Sequence, residues 1–382
     1  MAKKKVAKKK ATKKKPVSKK ATKNKVMGKA RLHDDLLIEL GTEELPPKAL
    51  KRLSNALGEH FIVGLKEAGL LTEKSTSQNF ATPRRLAVSV SAVLLRQPDR
   101  EIDRRGPALQ AAFDKDGNAT KAAEGFARSS GTSVEKLDRL KTDKGEWLVF
   151  RQKEKGRTAR ELIPQIFDQA LKQLPIPKRM RWGDLDVEFV RPVHWLVMLH
   201  GDKVIPAESL AVKSGRKTRG HRFHAPRWIS IAHARDYEKI LKKAFVLADY
   251  ETRQKKIKDG AEKLATKHKG KALIDHSLLD EVTGLVEWPE AIFANFDKAF
   301  LDIPAEALVS TMQEHQKYFP VTDKNGKLLP QFITISNIKS KQKAQVREGN
   351  ERVIRARFSD AKFFWDTDRK KRLDDHIEKL KD

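Results

Sequence analysis

The chain has 382 residues, no cysteine, 34% charged residues and a formal net charge of +29. The lack of cysteine excludes disulfides, thiolate metal sites and a cysteine nucleophile, and it fits a reducing, cytoplasmic location. At roughly 100–200 residues per domain the length predicts two or three domains, and without a run of about 18 apolar residues no membrane span or membrane partner is expected.

Residues 1–33 read as a disordered basic tail. The first 32 residues hold fourteen lysines and one arginine and no acid. Like-charge repulsion and few large apolar side chains keep such a segment unfolded. It lacks the apolar stretch of a secretory signal. Being Lys-rich and not amphipathic, it is also a poor mitochondrial presequence. Non-specific attraction to nucleic acid and plain solubility both account for it. The rest of the chain keeps about half of the positive excess, so the body is basic in its own right. That points to a polyanion, most often nucleic acid, through phosphate neutralisation and counterion release. The plainer reading is a well-solvated surface.

From Asp34 onward the pattern is that of a folded α+β chain. Residues 35–40 read as a strand ended by Gly41, and 43–47 turn the chain. Leu50, Leu53, Leu57, Phe61 and Leu65 recur at three- and four-residue spacing, which predicts a helix stopped near Gly69. Leu86, Val88, Val90, Ala92 and Leu94 alternate, the pattern of a half-buried strand. Residues 99–145 read as an excursion rich in charge and glycine, with a turn at 104–107 and a short helix capped by Thr120. Residues 147–150 are predicted to return to the sheet as a strand. Thr158 and Glu161 have capping-box spacing ahead of Ile166, Ala170 and Leu174, while Pro164 predicts a kink or a later start.

Residues 187–199 form a strand-like stretch broken by Pro192. Two helices meeting near Asp249 cover 235–270. Mixed structure follows, with a buried strand at 332–338. Asn350 is expected to cap a last helix that holds Val353, Ile354, Phe358, Ala361 and Trp365 inside. The predicted fold is a multidomain α+β chain of mixed sheet layers packed with helices. Its parts are the tail at 1–33, an α+β domain at 34–232, an α+β/helical domain at 233–345, and a helical region beginning at 346–382.

Several chemistries leave no trace. There is no GxxxxGK[ST], no GxGxxG after a strand, no HExxH and no GxSxG, so no catalytic residue is assigned. His221 and His224 stand three apart without further zinc ligands at a familiar interval, and no metal site is expected. What does recur is arginine beside aromatics and turns: Arg84 and Arg85, Arg104 and Arg105, Arg181 before Trp182, Arg191 after Phe189, and Arg219, His221 and Arg222 around Phe223. The arginine fork matches phosphate and its plane stacks on bases. Neighbouring aromatics take unpaired RNA bases. For a single cluster, a structural arginine bonding loop carbonyls is the plainer reading; the set together favours RNA.

Pro304 opens a helix on which Leu308, Met312, His315 and Phe319 share a face. This reads His315 as a half-buried, satisfied histidine and leaves Gln313, Gln316 and Lys317 facing a partner. Glu287 and Glu290 are divided by a Trp-Pro turn and carry no glycosidase geometry. On the last helix Arg352, Arg355 and Lys362 share a face, either solvated or phosphate-facing. Glu351 is placed to pair with Arg355.

Nine runs taken in order carry a resemblance: LLIELGTEELPP (36–47), FATPRRLA (80–87), GFAR (125–128), MRWG (180–183), FVRPVHW (189–195), GHRF (220–223), LVEWP (285–289), TMQEHQKYF (311–319), and GNERV through AKFFW (349–365). Together they resemble the N-terminal half of the beta subunits of bacterial heterotetrameric glycyl-tRNA synthetases. The resemblance implies two alpha and two beta chains. It implies a class II active site on the alpha subunit, where ATP and magnesium serve to join glycine to AMP and then to tRNA(Gly). It implies a tRNA-binding, non-catalytic role here, with no cofactor on this chain.

The candidate RNA contacts are Arg84, Arg85, Arg104, Arg105, Arg181, Arg191, Arg219, His221, Arg222, Lys317, Arg352 and Arg355. The rivals are a stand-alone basic RNA- or DNA-binding protein and a purely architectural subunit. The Lys-rich tail lies outside the family pattern. Members continue into a helical, HD-like region and a C-terminal anticodon-binding domain, so a piece of a longer protein is expected.

Overall fold

The strand His33–Thr42 has apolar residues at consecutive positions because both of its faces are buried. The computed structural model describes residues 32–142, 145–370, 372 and 374, and the tail up to residue 31 lies outside the described residues. This strand lies inside a seven-stranded sheet. Across the sheet the order is Glu208–Ser209, Val212–Gly215, Val193–His200, His33–Thr42, Arg85–Leu94 and Ser77–Thr82, with Lys203–Val204 folded back on Val193–His200. Neighbours are antiparallel except Val212–Gly215, which runs parallel to Val193–His200.

Leu36, Ile38 and Leu40 point to one face, where the helices Pro47–Glu67 and Ala159–Lys172 cover them. Leu37, Glu39 and Gly41 take the opposite face. There Leu37 joins a core closed by Tyr237, Leu241 and Val246. The half-buried reading of the strand around Leu86 is therefore corrected: Leu86, Ala87, Val88 and Val90 are all buried, because this sheet is a middle layer.

The helix Pro47–Glu67 buries Leu50, Leu53, Leu57, Phe61 and Leu65 as its spacing predicts. The helix Ala159–Lys172 carries the Thr158–Glu161 capping box and passes through Pro164 without a later start. The carbonyl that Pro164 cannot bond belongs to Arg160, an exposed residue four positions earlier.

Residues 100–154 differ from expectation. Arg100–Ala108 is a strand paired with Gly145–Glu154, which also pairs with Asp138–Thr142. Arg104 and Arg105 are thus in a strand and not a turn, and Trp147–Phe150 joins this separate sheet and not the large one. The strand was unreadable because it is exposed through Arg105 and lacks apolar alternation. Thr120 precedes the helix Lys121–Ser129, but its hydroxyl donates to the carbonyls of Ala111 (2.7 Å) and Ala112 (3.2 Å) instead of capping.

A second sheet of four antiparallel strands follows the order Lys271–Ala272, Phe319–Thr322, Leu328–Ser336 and Glu290–Asn295. Its core includes Ile257 and Ala261 from the helix Tyr250–Lys267, with Leu279 and Val282 from His276–Leu285. A further cluster joins Phe332 to Leu308, Met312, Ile354 and Phe358. The two helices expected near Asp249 are Tyr237–Lys243 and Tyr250–Lys267, and the Asp249 carboxylate caps the second through the Thr252 amide at 2.7 Å.

Four readings in this region are corrected. The helix Ala305–Ser310 passes into a π turn at Thr311–His315, whose wider winding carries His315 off the apolar face to an exposed position. The last helix, Lys343–Asp368, begins before Asn350. Asn350 sits inside it, donating to the Val346 carbonyl (2.7 Å) and accepting from the Tyr318 hydroxyl (2.7 Å). Val353 is exposed, and Glu351 lies 3.9 Å from Arg347 and accepts from the Asn295 amide, so Arg355 is not its partner.

Candidate nucleic-acid interface

Four of the runs quoted above meet in a polar centre inside the large sheet's second face. Arg85 is fully buried. Its guanidinium lies 3.4 Å from Glu39 and 3.1 Å from Glu287, and donates to the hydroxyls of Thr82 (3.1 Å) and Thr218 (3.2 Å). Glu39 also accepts from Trp195 Nε1 and the Tyr237 hydroxyl, both at 2.5 Å. Glu287 accepts from the Thr82 hydroxyl at 2.9 Å. Burial alone lowers the Arg85 pKa, but the carboxylates of Glu287 and Glu39 outweigh it and the net shift is upward. Burial, together with Glu39, pushes the Tyr237 phenol well above its ordinary value. The centre is sealed and mutually satisfied, so it is a structural joint and has no room for a substrate. Arg85 as an RNA contact is corrected for that reason.

Arg84 and His221 also face inward. Arg84 is 9% exposed, and its guanidinium lies 5.9 Å from the Trp195 ring. Burial is the main force lowering its pKa. His221 is fully buried. Its Nδ1 accepts from the amides of Phe223 (3.2 Å) and His224 (3.3 Å), and its Nε2 donates to the Asn337 carbonyl (2.7 Å). Rings continue outward from it through His224 and Phe245 to Trp288, at 4.8, 4.7 and 5.2 Å. His221 is a structural pivot, and its reading as an RNA contact is corrected. His221 has no surface left to receive a phosphate, and Arg84 keeps little.

Five other candidates are tied to partners within the chain. Arg191 donates to the carbonyls of Glu44 and Val190, both at 3.1 Å. Arg222 bridges Glu43 (3.5 Å) and Glu44 (3.4 Å). Arg181 pairs with Glu188 at 3.0 Å and Arg352 with Glu348 at 3.4 Å. Lys317, in a left-handed conformation at φ 60°, holds Glu281 at 3.0 Å.

Arg104, Arg105, Arg219 and Arg355 carry no ion pair among the described residues. Three of these four lie against aromatic rings. Arg105 sits 3.4 Å from the centroid of Trp147, Arg219 4.3 Å from that of Trp228, and Arg104 5.9 Å from that of Phe126. Arg104 and Gly106 share one face of their strand, and a Cβ on Gly106 would lie 2.5 Å from the Phe126 ring. Glycine there lets the helix Lys121–Ser129 seat the ring beside Arg104.

Sequence reasoning missed Trp228, Arg253, Tyr237 and the pairing of Arg105 with Trp147. Arg219 and Trp228 are register partners across the strands Lys217–Arg219 and Trp228–Ser230, but the intervening segment is too long to read as a hairpin turn. Arg253 is buried in a charged helical stretch. It donates to the carbonyls of Ala81 (2.6 Å), Leu247 (2.5 Å) and Thr283 (3.1 Å), and its main perturbation, burial, lowers its pKa to about 10. Asp34, Asp35 and His233 are close enough to share a metal, but Arg235 already lies 3.4 Å from both carboxylates.

The family model for the glycyl-tRNA synthetase beta subunit matches residues 36–382. A glycine--tRNA ligase beta subunit from Marinobacter nauticus is 53% identical over 349 residues, covering 91% of this chain and 50% of that protein. The beta subunit from Hahella chejuensis is 52% identical, with the same coverage, and that from Chromohalobacter salexigens is 54% identical over 88% of this chain and 49% of its own length. The chain thus spans about half the length of these curated relatives. With the motif runs interlocked at the Arg85 centre and the match reaching across both sheets, the chain belongs to the glycyl-tRNA synthetase beta subunit family.

Proposed function

We propose that this chain is a tRNA-binding, non-catalytic part of a glycine--tRNA ligase, supporting ATP-dependent attachment of glycine to tRNA(Gly) by a separate alpha subunit in an α2β2 assembly in the cytoplasm. ATP and magnesium belong to the alpha active site in this reading. The observation that carries it is the family match over residues 36–382. Two features of the chain support it. The Arg85 centre is closed to solvent, and three of the four candidate arginines without ion pairs among the described residues lie against aromatic rings, the pairing that suits phosphates and bases. Among the described residues, no helix is long and apolar enough to cross a membrane.

The test is tRNA(Gly) binding across a salt series, together with charging by purified alpha subunit with and without this chain. Arg105→Ala is expected to weaken binding and flatten the slope of log affinity against log salt by about one unit. Arg104→Ala and Arg355→Ala are expected to act in the same direction. Charging that rises on adding the chain, with tRNA affinity unchanged in all three variants, would favour the architectural reading instead.

A further inference from the structure

Trp228 stands where two open grooves meet. One groove, of about 440 Å3, is lined by His194, Trp195, Lys213, Arg216 and Lys217 among others. The other, of about 470 Å3, is lined by Ala225, Arg227, Ile240 and Lys243. Trp228 lines both and is 45% exposed. Its ring is fixed from two sides: Arg219 lies 4.3 Å from its centroid, and Trp195 meets it edge-on at 5.9 Å and 89°. Five cations line the grooves, and no aspartate or glutamate does. Lys213, Lys217, Arg227 and Lys243 are exposed, and none of them is in an ion pair among the described residues.

An aromatic ring held open at a crossing of cationic grooves suits a nucleic-acid strand whose bases are free. The ring offers a face to one base while lysine and arginine on either side meet the flanking phosphates. A duplex keeps its bases stacked on one another and cannot use the ring. We propose that Trp228, backed by Arg219, is a stacking platform for one unpaired base of single-stranded RNA, with the strand running between the Lys213–Lys217 rim and the Arg227–Lys243 rim. The choice of RNA as the polyanion rests on the tRNA-binding reading above. The ring and its cations are independent of Arg104, Arg105 and Arg355.

The experiment is fluorescence anisotropy at physiological salt with a short fluorescein-labelled oligoadenylate, using the whole chain. Trp228→Ala is expected to weaken oligoadenylate binding roughly tenfold, the size of one lost base stack. Trp228→Phe is expected to recover most of that loss, and duplex RNA of the same length to bind both variants like the parent. Because Trp228 is half exposed, Trp228→Ala should keep the parent's thermal unfolding, which separates lost binding from lost fold.

Oligoadenylate binding unchanged by Trp228→Ala, or absent from the parent chain, would overturn the platform while leaving whole-tRNA binding to be judged by the Arg105 series. Loss of alpha-subunit binding in Trp228→Ala with oligoadenylate affinity intact would likewise overturn it and assign the grooves to a protein partner. Whole-tRNA binding that fails in the parent while the Trp228-dependent oligoadenylate signal persists would keep the platform and sink the tRNA reading.

Discussion

Arg85 and Arg105 are the same residue type, each next to another arginine, and their fates are opposite. Arg85 is enclosed by Glu39 and Glu287, which stand 46 and 202 residues away. Arg105 lies exposed over Trp147. Nothing in the local sequence separates them, because the deciding carboxylates are distant along the chain. The sequence shows arginines of interest; which way each points follows from tertiary packing. Arg85→Ala leaves two carboxylates buried without their cation and should cost about 3–5 kcal/mol of stability. Arg85→Lys should also destabilise, since an ammonium cannot reproduce a planar fork shared by two acids and two hydroxyls. Urea unfolding measures both, and a loss under about 1 kcal/mol for Arg85→Ala would contradict the sealed centre.

His200 gives a pH dependence at the same scale. It is 7% exposed, and its Nε2 donates to the Val93 carbonyl at 3.1 Å. Burial lowers its pKa below 6.5. The unfolded chain therefore takes up a proton at a higher pH than the folded one. The stability is fully present above the unfolded value and is lost as pH falls from 6.5 toward the lower folded value. His200→Gln keeps a donor for Val93 but does not titrate. Its melting temperature should fall less than the parent's between about pH 8 and pH 5, and parallel curves would refute the assignment.

At the scale of elements, what was legible was local. The helix Pro47–Glu67 follows from five apolar residues on one face, and the capping box of Thr158 and Glu161 forms as spaced. The meeting of two helices near Asp249 was legible for the same local reason, and the cap that Asp249 supplies was found in the structure. The strand Arg100–Ala108 was illegible because a largely exposed strand needs no apolar alternation. His315 was misplaced because a π turn breaks the 3.6-residue phase on which its face was read.

Gly41 shows how a strand and its neighbour are matched. A Cβ at Gly41 would lie 1.8 Å from Trp195 Cε2, and Trp195 is held by Glu39. Gly41→Ala must push the indole aside and break that bond, and should cost at least about 1–3 kcal/mol. Parent-like stability together with unchanged tryptophan fluorescence would show that strand and ring are not packed this closely.

For the whole molecule, the net charge of +29 correctly indicated a basic body but could not say where its cations are free. The family was legible because nine short runs keep their order. The structure explains four of them physically: the residues of runs near 40, 85, 195 and 287 bond one another at the Arg85 centre. The candidate interface was only partly legible. Arg104, Arg105 and Arg219 stood out in the sequence, while Trp228 gained meaning only when a strand pairing placed it against Arg219.

The reach from Arg85 to Glu287 also sets a timetable for manufacture. A ribosome releases the amino end first, and at about 5–20 residues per second Arg85 is made roughly 10–40 s before its second acid. Val193–His200, which must lie beside His33–Thr42, is likewise still to come for part of that interval. A nascent polypeptide halted before position 193 therefore leaves His33–Thr42 without its neighbour on one side, the kind of intermediate that chaperones engage.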